Sequence, residues 1–229
     1  MSDKVSCFLP CRQGSQRVAR KNIRPFAGFE FGLTEVKLKQ LLNSKHLDEV
    51  VLSTNDKDII DYARGIEHSK LRIHRRDGSL ASATSTDALV AHALELIPEG
   101  HILWTHVTSP FINAERYDKI ICSYFDALKS GHDSLMTTTE LYAFLWQNGK
   151  PINYDRRVEK WPRTQTLNPI HEVNSGAFLA STDVYKYLGD RIGNVPYLYA
   201  LDKLRAYDID WPEDFVLTEC MVREGLIPL

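Results

Sequence analysis

Four cations crowd the stretch Cys11-Arg12-Gln13-Gly14-Ser15-Gln16-Arg17-Val18-Ala19-Arg20-Lys21-Asn22, directly after the apolar run 5–10. Gly14 lets backbone approach a ligand closely. Successive backbone N–H groups can form an anion-binding nest, and Arg12, Arg17, Arg20 and Lys21 add full positive charge. That combination suits a polyphosphate; a solvated basic loop is the plainer alternative. It is not a P-loop, because no Gly-Lys-Ser/Thr opens a helix at the required spacing. Near the other end of the chain, Asp208-Ile209-Asp210 puts two carboxylates on one side of an extended segment. Such a pair repels unless a cation or basic groups lie between, and oxygen ligands with a retained water shell suit Mg²⁺. Capping of the helix that follows is the plainer alternative for the pair. Taken with the basic loop, it points to phosphoryl transfer.

Further polar groups fall at strand ends. Thr105-His106-Val107-Thr108-Ser109-Pro110 follows a central strand, and Arg75-Arg76 leads into the turn Asp77-Gly78. One of Ser82, Thr84, Ser85 and Thr86 is placed to cap the helix that starts at Asp87, which leaves a second hydroxyl to face a nucleotide. No Gly-x-Ser-x-Gly and no Cys–His pairing offers a nucleophile. The chemistry expected is therefore one in which two substrates react directly while the protein positions them and neutralises charge.

Apolar runs alternate with helical periodicity along most of the chain. Strands are predicted at 5–10, 49–53, 71–74, 101–107, 134–139, 175–181 and 199–210. Helices are predicted around Leu33–Leu42, Ile59–Ala63, 87–97, 113–128, 185–188 and 213–224, with Asn113 and the segment Ser53-Thr54-Asn55-Asp56 supplying caps. This β-α-β-α order implies an α/β protein, a mostly parallel sheet with helices on both faces. In such a sheet, ligands bind beyond the carboxyl ends of the strands. Residues about 140–175 break the rhythm with Trp146, Gly149, Pro151, Tyr154, Trp161, Pro162 and Pro169. They read as an inserted arm that covers a site or pairs with a second subunit.

The 229 residues, 43% hydrophobic and 25% charged, fit one large α/β domain spanning 1–229. A formal net charge of −2 makes the basic loop a local feature and argues against a nucleic-acid partner. No run reaches membrane-spanning length, and the start lacks a signal-peptide pattern. Cys7, Cys11, Cys122 and Cys220 form no Cys-x-x-Cys pair, so free thiols and a cytoplasmic location are expected.

In this order the segments resemble the acylneuraminate cytidylyltransferases, the CMP-sialic acid synthetases. Arg12-Gln13-Gly14-Ser15 with Arg20-Lys21-Asn22 is similar to that family's nucleotide-binding motif. Leu52-Ser53-Thr54-Asn55-Asp56, Arg76 through Leu80-Ala81-Ser82, Thr108-Ser109-Pro110, Arg163-Thr164-Gln165, Asn174-Ser175-Gly176-Ala177 and Asp208-Ile209-Asp210 resemble further family segments. The resemblance implies a three-layer α/β/α fold of the nucleotide-diphospho-sugar transferase type. It implies transfer of CMP from CTP to the anomeric hydroxyl of a sialic-acid-like 2-keto sugar acid, with release of pyrophosphate. Carried over by position, Arg12, Gly14, Ser15 and Lys21 hold the triphosphate. Asn22 and Arg76 read cytosine or ribose with Ser85 or Thr86 nearby, and Asp208 and Asp210 hold Mg²⁺. His106, Arg163, Gln165 and Asn174 face the sugar, and Arg12, Lys21 and Asp210 are the catalytic set. It also implies a homodimer in which the arm reaches the partner's site.

The departures from that pattern cluster on the sugar side. Gln16 replaces a usual lysine and His106 a usual glutamine. Ile112-Asn113 stands where an arginine is common, and Glu172-Val173 where a basic residue is common. The acceptor expected is thus a relative of the commonest sialic acid: legionaminic-like, pseudaminic-like or octulosonic. Two other readings stay open. One is an enzyme of the same fold with another NTP or acceptor, such as a Kdo-type octulosonate. The other is a nucleotide-binding regulator without turnover.

Overall fold

The computed structural model describes residues 3–15, 17–80 and 86–229. Its strands are β1 (Val5–Cys11), β2 (Glu49–Thr54), β3 (Leu71–Arg75), β4 (His101–Trp104), β5 (Ser134–Leu141), the short pair β6 (Trp146–Gln147) and β7 (Lys150–Pro151), β8 (Ile170–Ser181) and β9 (Pro196–Leu201). Among the described residues seven of these form one sheet in the order β3-β2-β1-β4-β8-β5-β9. Only β8 opposes its neighbours there, pairing antiparallel with both β4 and β5, while β1–β2, β1–β4, β2–β3 and β5–β9 pair in parallel. Because β8 runs backwards, its beginning lies at the sheet edge where the other strands end. That is how residues from the second half of the chain reach the same rim as the loop after β1.

The helices are α1 (Gly32–Leu42), α2 (Lys57–Arg64), α3 (Thr86–Leu96), α4 (Ala114–Lys129), α5 (Thr182–Leu188) and α6 (Pro212–Arg223). Strand periodicity sorts them into two layers. Cys7, Leu9 and Cys11 of β1 pack with apolar residues of α1, α2, α4 and α6, including Leu33, Ile59, Tyr117 and Phe215. Phe8, pointing the other way, packs with Val90 and Ala93 of α3 and Tyr185 of α5. Each such fully buried aliphatic or aromatic side chain contributes roughly 1.5–3 kcal/mol. Cys7 and Cys11 share one face and are, as expected, free thiols. Burial pushes Cys11 up to about 12, so it stays protonated.

Local signals explain the joints. Asp56 caps α2, accepting from the Asp58 N–H, and Asn113 caps α4, accepting from the Arg116 N–H. Two expected boundaries shift. The segment 199–210 is not one strand: β9 ends at Leu201, because the Asp202 carboxylate captures the Arg205 N–H at 3.0 Å and the Asp202 carbonyl accepts from Ala206, turning the chain. The arm is also shorter than 140–175, since β5 runs to Leu141 and β8 begins at Ile170, five residues before the predicted strand. Among the described residues no helix is long and apolar enough to cross a membrane.

Candidate active site

The loop after β1 is folded around its own polar groups. Gly14 sits at φ +83° with open space around it, a backbone conformation that side chains disfavour. The Gln13 N–H donates to Asn55 Oδ1 at 2.9 Å, and Asn22 Nδ2 donates to the Arg12 carbonyl at 3.1 Å. These bonds stand Arg12, Ser15, Arg17, Lys21 and Asn22 along one wall of a cleft of about 440 Å³. Lys21 is the partly buried member: its Nζ donates to the Ile209 carbonyl at 2.7 Å and to Asp210 Oδ1 at 3.3 Å. Arg17 joins the same carboxylate at 3.2 Å and lies over the Trp211 ring. The opening loop and the aspartate pair, 188 residues apart in sequence, thus meet.

The aspartate segment is pinned from three directions. Ile209 is fully buried, and its N–H donates to the Thr108 carbonyl at 2.8 Å. Ile209 thereby faces the core while Asp208 and Asp210 face the cleft. The capping task falls to Asp214, whose Oδ2 accepts from the N–H of Asp210 at 2.9 Å and of Trp211 at 2.7 Å. The pair expected either to cap or to bind is therefore free of capping. Burial, with Asp210 beside it, holds the Asp208 carboxyl above the ordinary range, against hydrogen bonds from Thr108 and Ser109. Two carboxylates without a third protein ligand, in a cleft with basic walls, suit a cation whose remaining positions are filled by phosphate oxygens and water, the habit of Mg²⁺. Among the described residues no group of three or more His, Cys, Asp or Glu forms an all-protein metal site.

A β-bulge builds the other wall. Met136 pairs with Phe178 and Thr138 with Val173, so Thr137 alone faces the four residues 174–177. The extra residues interrupt the ladder there, as bulges beside active sites commonly do. They are held by the Ala177 N–H donating to Thr137 Oγ1 at 2.8 Å and by Thr137 Oγ1 donating to Asn174 Oδ1 at 2.6 Å. At Gly176 a Cβ would meet Ile112 Cδ1 at 2.7 Å and Thr137 Oγ1 at 2.8 Å, so a larger residue there would displace side chains that hold the bulge. Asn174 and Ser175 are thereby set into a second cavity of about 560 Å³, lined also by Lys203, Tyr207, Asp208 and Asp210. Ser175, Asp208 and Asp210 line both cavities, which adjoin across the carboxylate pair. His106 lines the first; its Nε2 accepts from the Trp104 indole N–H at 3.1 Å, which leaves the ring proton on Nδ1. Burial and the nearby Arg191 and Lys21 lower its value to about 3, so it is neutral at physiological pH.

Other predicted residues lie elsewhere. Arg20 turns outward to Asp58 at 2.6 Å, so three of the four loop cations face the cleft. Arg76 is buried beneath the rim, donating to the Cys11 carbonyl at 3.0 Å, with Nε and Nη1 unpartnered among the described residues. Thr86 is the exposed first residue of α3. Arg163 and Gln165 are exposed on the arm and line neither cavity. Ser85 lies outside the described residues, as do Gln16, Ala81, Ser82 and Thr84.

Lys37, in α1, went unnoticed in the sequence although it follows Leu33 by four residues on the apolar helix face. It is fully buried, donating Nζ to the Ser109 carbonyl at 2.8 Å and to Tyr117 Oη at 2.7 Å. Tyr117 in turn meets Thr105 Oγ1, which donates to the Gly176 carbonyl at 2.7 Å. The network ties the Thr-Ser-Pro turn to the bulge. Burial pulls the Lys37 ammonium from 10.5 to about 7. Across that window the unfolded chain keeps a proton that the folded one has released, so stability rises with pH. In urea unfolding, the wild type is expected to gain roughly 2 kcal/mol over a Lys37→Met variant between about pH 7 and pH 9. Parallel behaviour of the two proteins would rule out a depressed Lys37.

The profile of the cytidylyltransferase family matches residues 6–215. The chain belongs to the cytidylyltransferase family. It is 29% identical over 189 residues to a pseudaminic acid cytidylyltransferase of Campylobacter jejuni, covering 78% of each protein. It is 22% identical over 231 residues to post-translational flagellin modification protein B of Campylobacter coli, covering 96% of each. Its fold is similar to that of a CMP:2-keto-3-deoxy-manno-octonic acid synthetase solved with CTP, at a TM-score of 0.70 and 15% identity over 97% of this chain and 99% of that one. A 4-diphosphocytidyl-2C-methyl-D-erythritol synthase from Anaerococcus prevotii superposes at a TM-score of 0.64, 13% identity, 96% of this chain and 98% of that one. The three-layer sheet inferred from the sequence is thus the cytidylyltransferase fold.

Proposed function

We propose that this cytidylyltransferase transfers CMP from CTP to the anomeric hydroxyl of a sialic-acid-like 2-keto sugar acid, releasing pyrophosphate. The observation that carries the reading is the meeting of Lys21 with Asp210 at the boundary between two adjoining cavities, one basic and one beyond the carboxylate pair. A triphosphate fits the basic side, where Arg12, Arg17, Lys21 and the loop N–H groups around Gly14 oppose its charge. The acceptor fits the other side, beside Asn174 and Ser175, so that its hydroxyl meets the α-phosphorus near Asp208 and Asp210. The anomeric oxygen bonds to that phosphorus and the bond to the β-phosphate oxygen breaks. Pyrophosphate leaves with the electron pair, and the hydroxyl proton passes to water. Lys21 and Arg12 oppose the charge that grows on the leaving pyrophosphate. Asp208 and Asp210 would hold Mg²⁺, which when bound supplies neutralisation of phosphate charge.

The nature of the relatives and the changed sugar-side residues support an acceptor of the pseudaminic, legionaminic or octulosonic type over N-acetylneuraminate. His106, neutral and with its Nδ1 proton free to donate, suits a sugar hydroxyl or carbonyl oxygen. The arm supports a homodimer: Val158 is 87% exposed and Trp161 62%, apolar surface that a second copy would cover. In that dimer Arg163 and Gln165 reach the partner's acceptor cavity.

Pyrophosphate release tests the reading. With CTP, UTP, ATP and GTP each offered against a panel of 2-keto sugar acids, only CTP is expected to give acid-dependent pyrophosphate. Pseudaminic-type acids are expected to exceed N-acetylneuraminate. N-acetylneuraminate turned over faster than every other acid would refute the altered acceptor. Tight CTP binding without product would favour a regulator.

A further inference from the structure

The acceptor cavity is a poor host for an acid. Glu172, Asp208, Asp210 and Asp214 all line it, and a sugar carboxylate entering it meets like charge on several sides. The cations identified so far do not answer that need. Arg17 and Lys21 are joined to Asp210 on the nucleotide side, His106 is neutral, and Arg163 lies out on the arm. Among the residues lining this cavity the one cationic side chain is Lys203.

The turn after β9 keeps Lys203 available. Asp202 accepts from the Arg205 N–H at 3.0 Å and pairs with the Arg205 guanidinium at 2.6 Å. The other cation of the turn is thereby engaged. Lys203 forms no salt bridge among the described residues, and it sits on the same chain segment that carries Asp208 five residues later. A turn closed by its own Asp202–Arg205 pair is a firm base for a lysine that must hold one position over the cavity.

We propose that Lys203 binds the carboxylate of the acceptor and makes the enzyme selective for sugar acids over neutral sugars. The proposal rests on the reading of the second cavity as the acceptor site. A compact ammonium on a flexible stem suits this task, since it can follow a carboxylate whose position differs among related acids.

The test separates the two substrates. In Lys203→Met the KM for the sugar acid is expected to rise about tenfold or more, from loss of one opposite charge near the carboxylate. The KM for CTP, and kcat at saturating acid, stay within about a factor of two, since the residue leaves the phosphate chemistry untouched. Lys203→Arg restores most of the loss. The carboxamide of the same sugar is turned over equally by wild type and Lys203→Met. Lys203 is exposed, so the variants are expected to fold, and circular dichroism checks this. An unchanged acid KM in a Lys203→Met enzyme that still forms CMP-sugar overturns the assignment while the proposed reaction stands. A wild-type enzyme inert toward every acid overturns the proposed reaction, and the assignment falls with it.

Discussion

Asp210→Ala is expected to lower kcat by about a thousandfold, with the thermal midpoint nearly unchanged. The carboxylate is 45% exposed, and so is its partner Arg17, so the ion pairs it forms contribute little to folding. What it loses is functional. Asp210 faces both cavities, and together with Asp208 it is the carboxylate pair that would gather a divalent cation against the phosphates. Its backbone N–H remains held by Asp214, so the segment keeps its course in the variant. Circular dichroism, differential scanning fluorimetry and steady-state turnover decide the matter. Normal turnover with an intact fold would remove Asp210 from the mechanism.

Lys21→Met is the second large effect. Lys21 is 11% exposed and spans from the basic loop to the Ile209 carbonyl and Asp210, so its charge acts at short range with little solvent between. Loss of one such charge on a leaving pyrophosphate is expected to reduce kcat/KM for CTP by about a hundredfold or more. The effect is expected to fall on CTP and not on the acid, which the proposed reaction puts beyond the carboxylates. Direct calorimetric titration of CTP, and separately of the acid, distinguishes the two. Equal CTP affinity and turnover in variant and wild type would contradict the role.

The two variants probe opposite ends of the chain, and the sequence foretells their meeting for a physical reason. A buried apolar run ending in a Gly-containing basic loop is a strand-end feature, while the Asp-x-Asp flanking a buried Ile lies past the end of β9, on the segment that leads into α6. A mostly parallel sheet gathers strand ends on one rim. The α/β/α layering is legible in the same way, because alternate residues such as Cys7 and Phe8 are apolar on both faces of the strands. The segment 208–214 is less legible. It holds Asp208, Asp210 and Asp214, and composition does not say which carboxylate caps α6; the answer depends on Asp214 reaching back over the Asp210 and Trp211 N–H groups.

The acceptor side escapes sequence reasoning most. The bulge at 174–177 follows from the pairing register of β5 with β8, strands some thirty residues apart joined through the arm, and no local propensity encodes it. Arg20 belongs to the basic loop by sequence, yet a carboxylate from α2 draws it away. Lys37 carries a visible signal, a lysine at core spacing in α1, whereas Lys203 carries none, since an exposed lysine on a turn looks like any other until the cavity beside it is known. Arg163 and Gln165 sit on the arm and line neither cavity, a placement that the motif containing them does not encode.

The central claim is that acceptor oxygen attacks the α-phosphorus of CTP at the boundary between the two cavities. Following phosphorus tests it most directly. With CTP radiolabelled at the α-phosphorus and, separately, at the β-phosphorus, the account predicts that in the presence of sugar acid the α-label moves into a CMP-sugar and the β-label into pyrophosphate, in equal amounts. Transfer of the β-label to the sugar, or release of the α-label as free CMP at a rate indifferent to the acid, would contradict it.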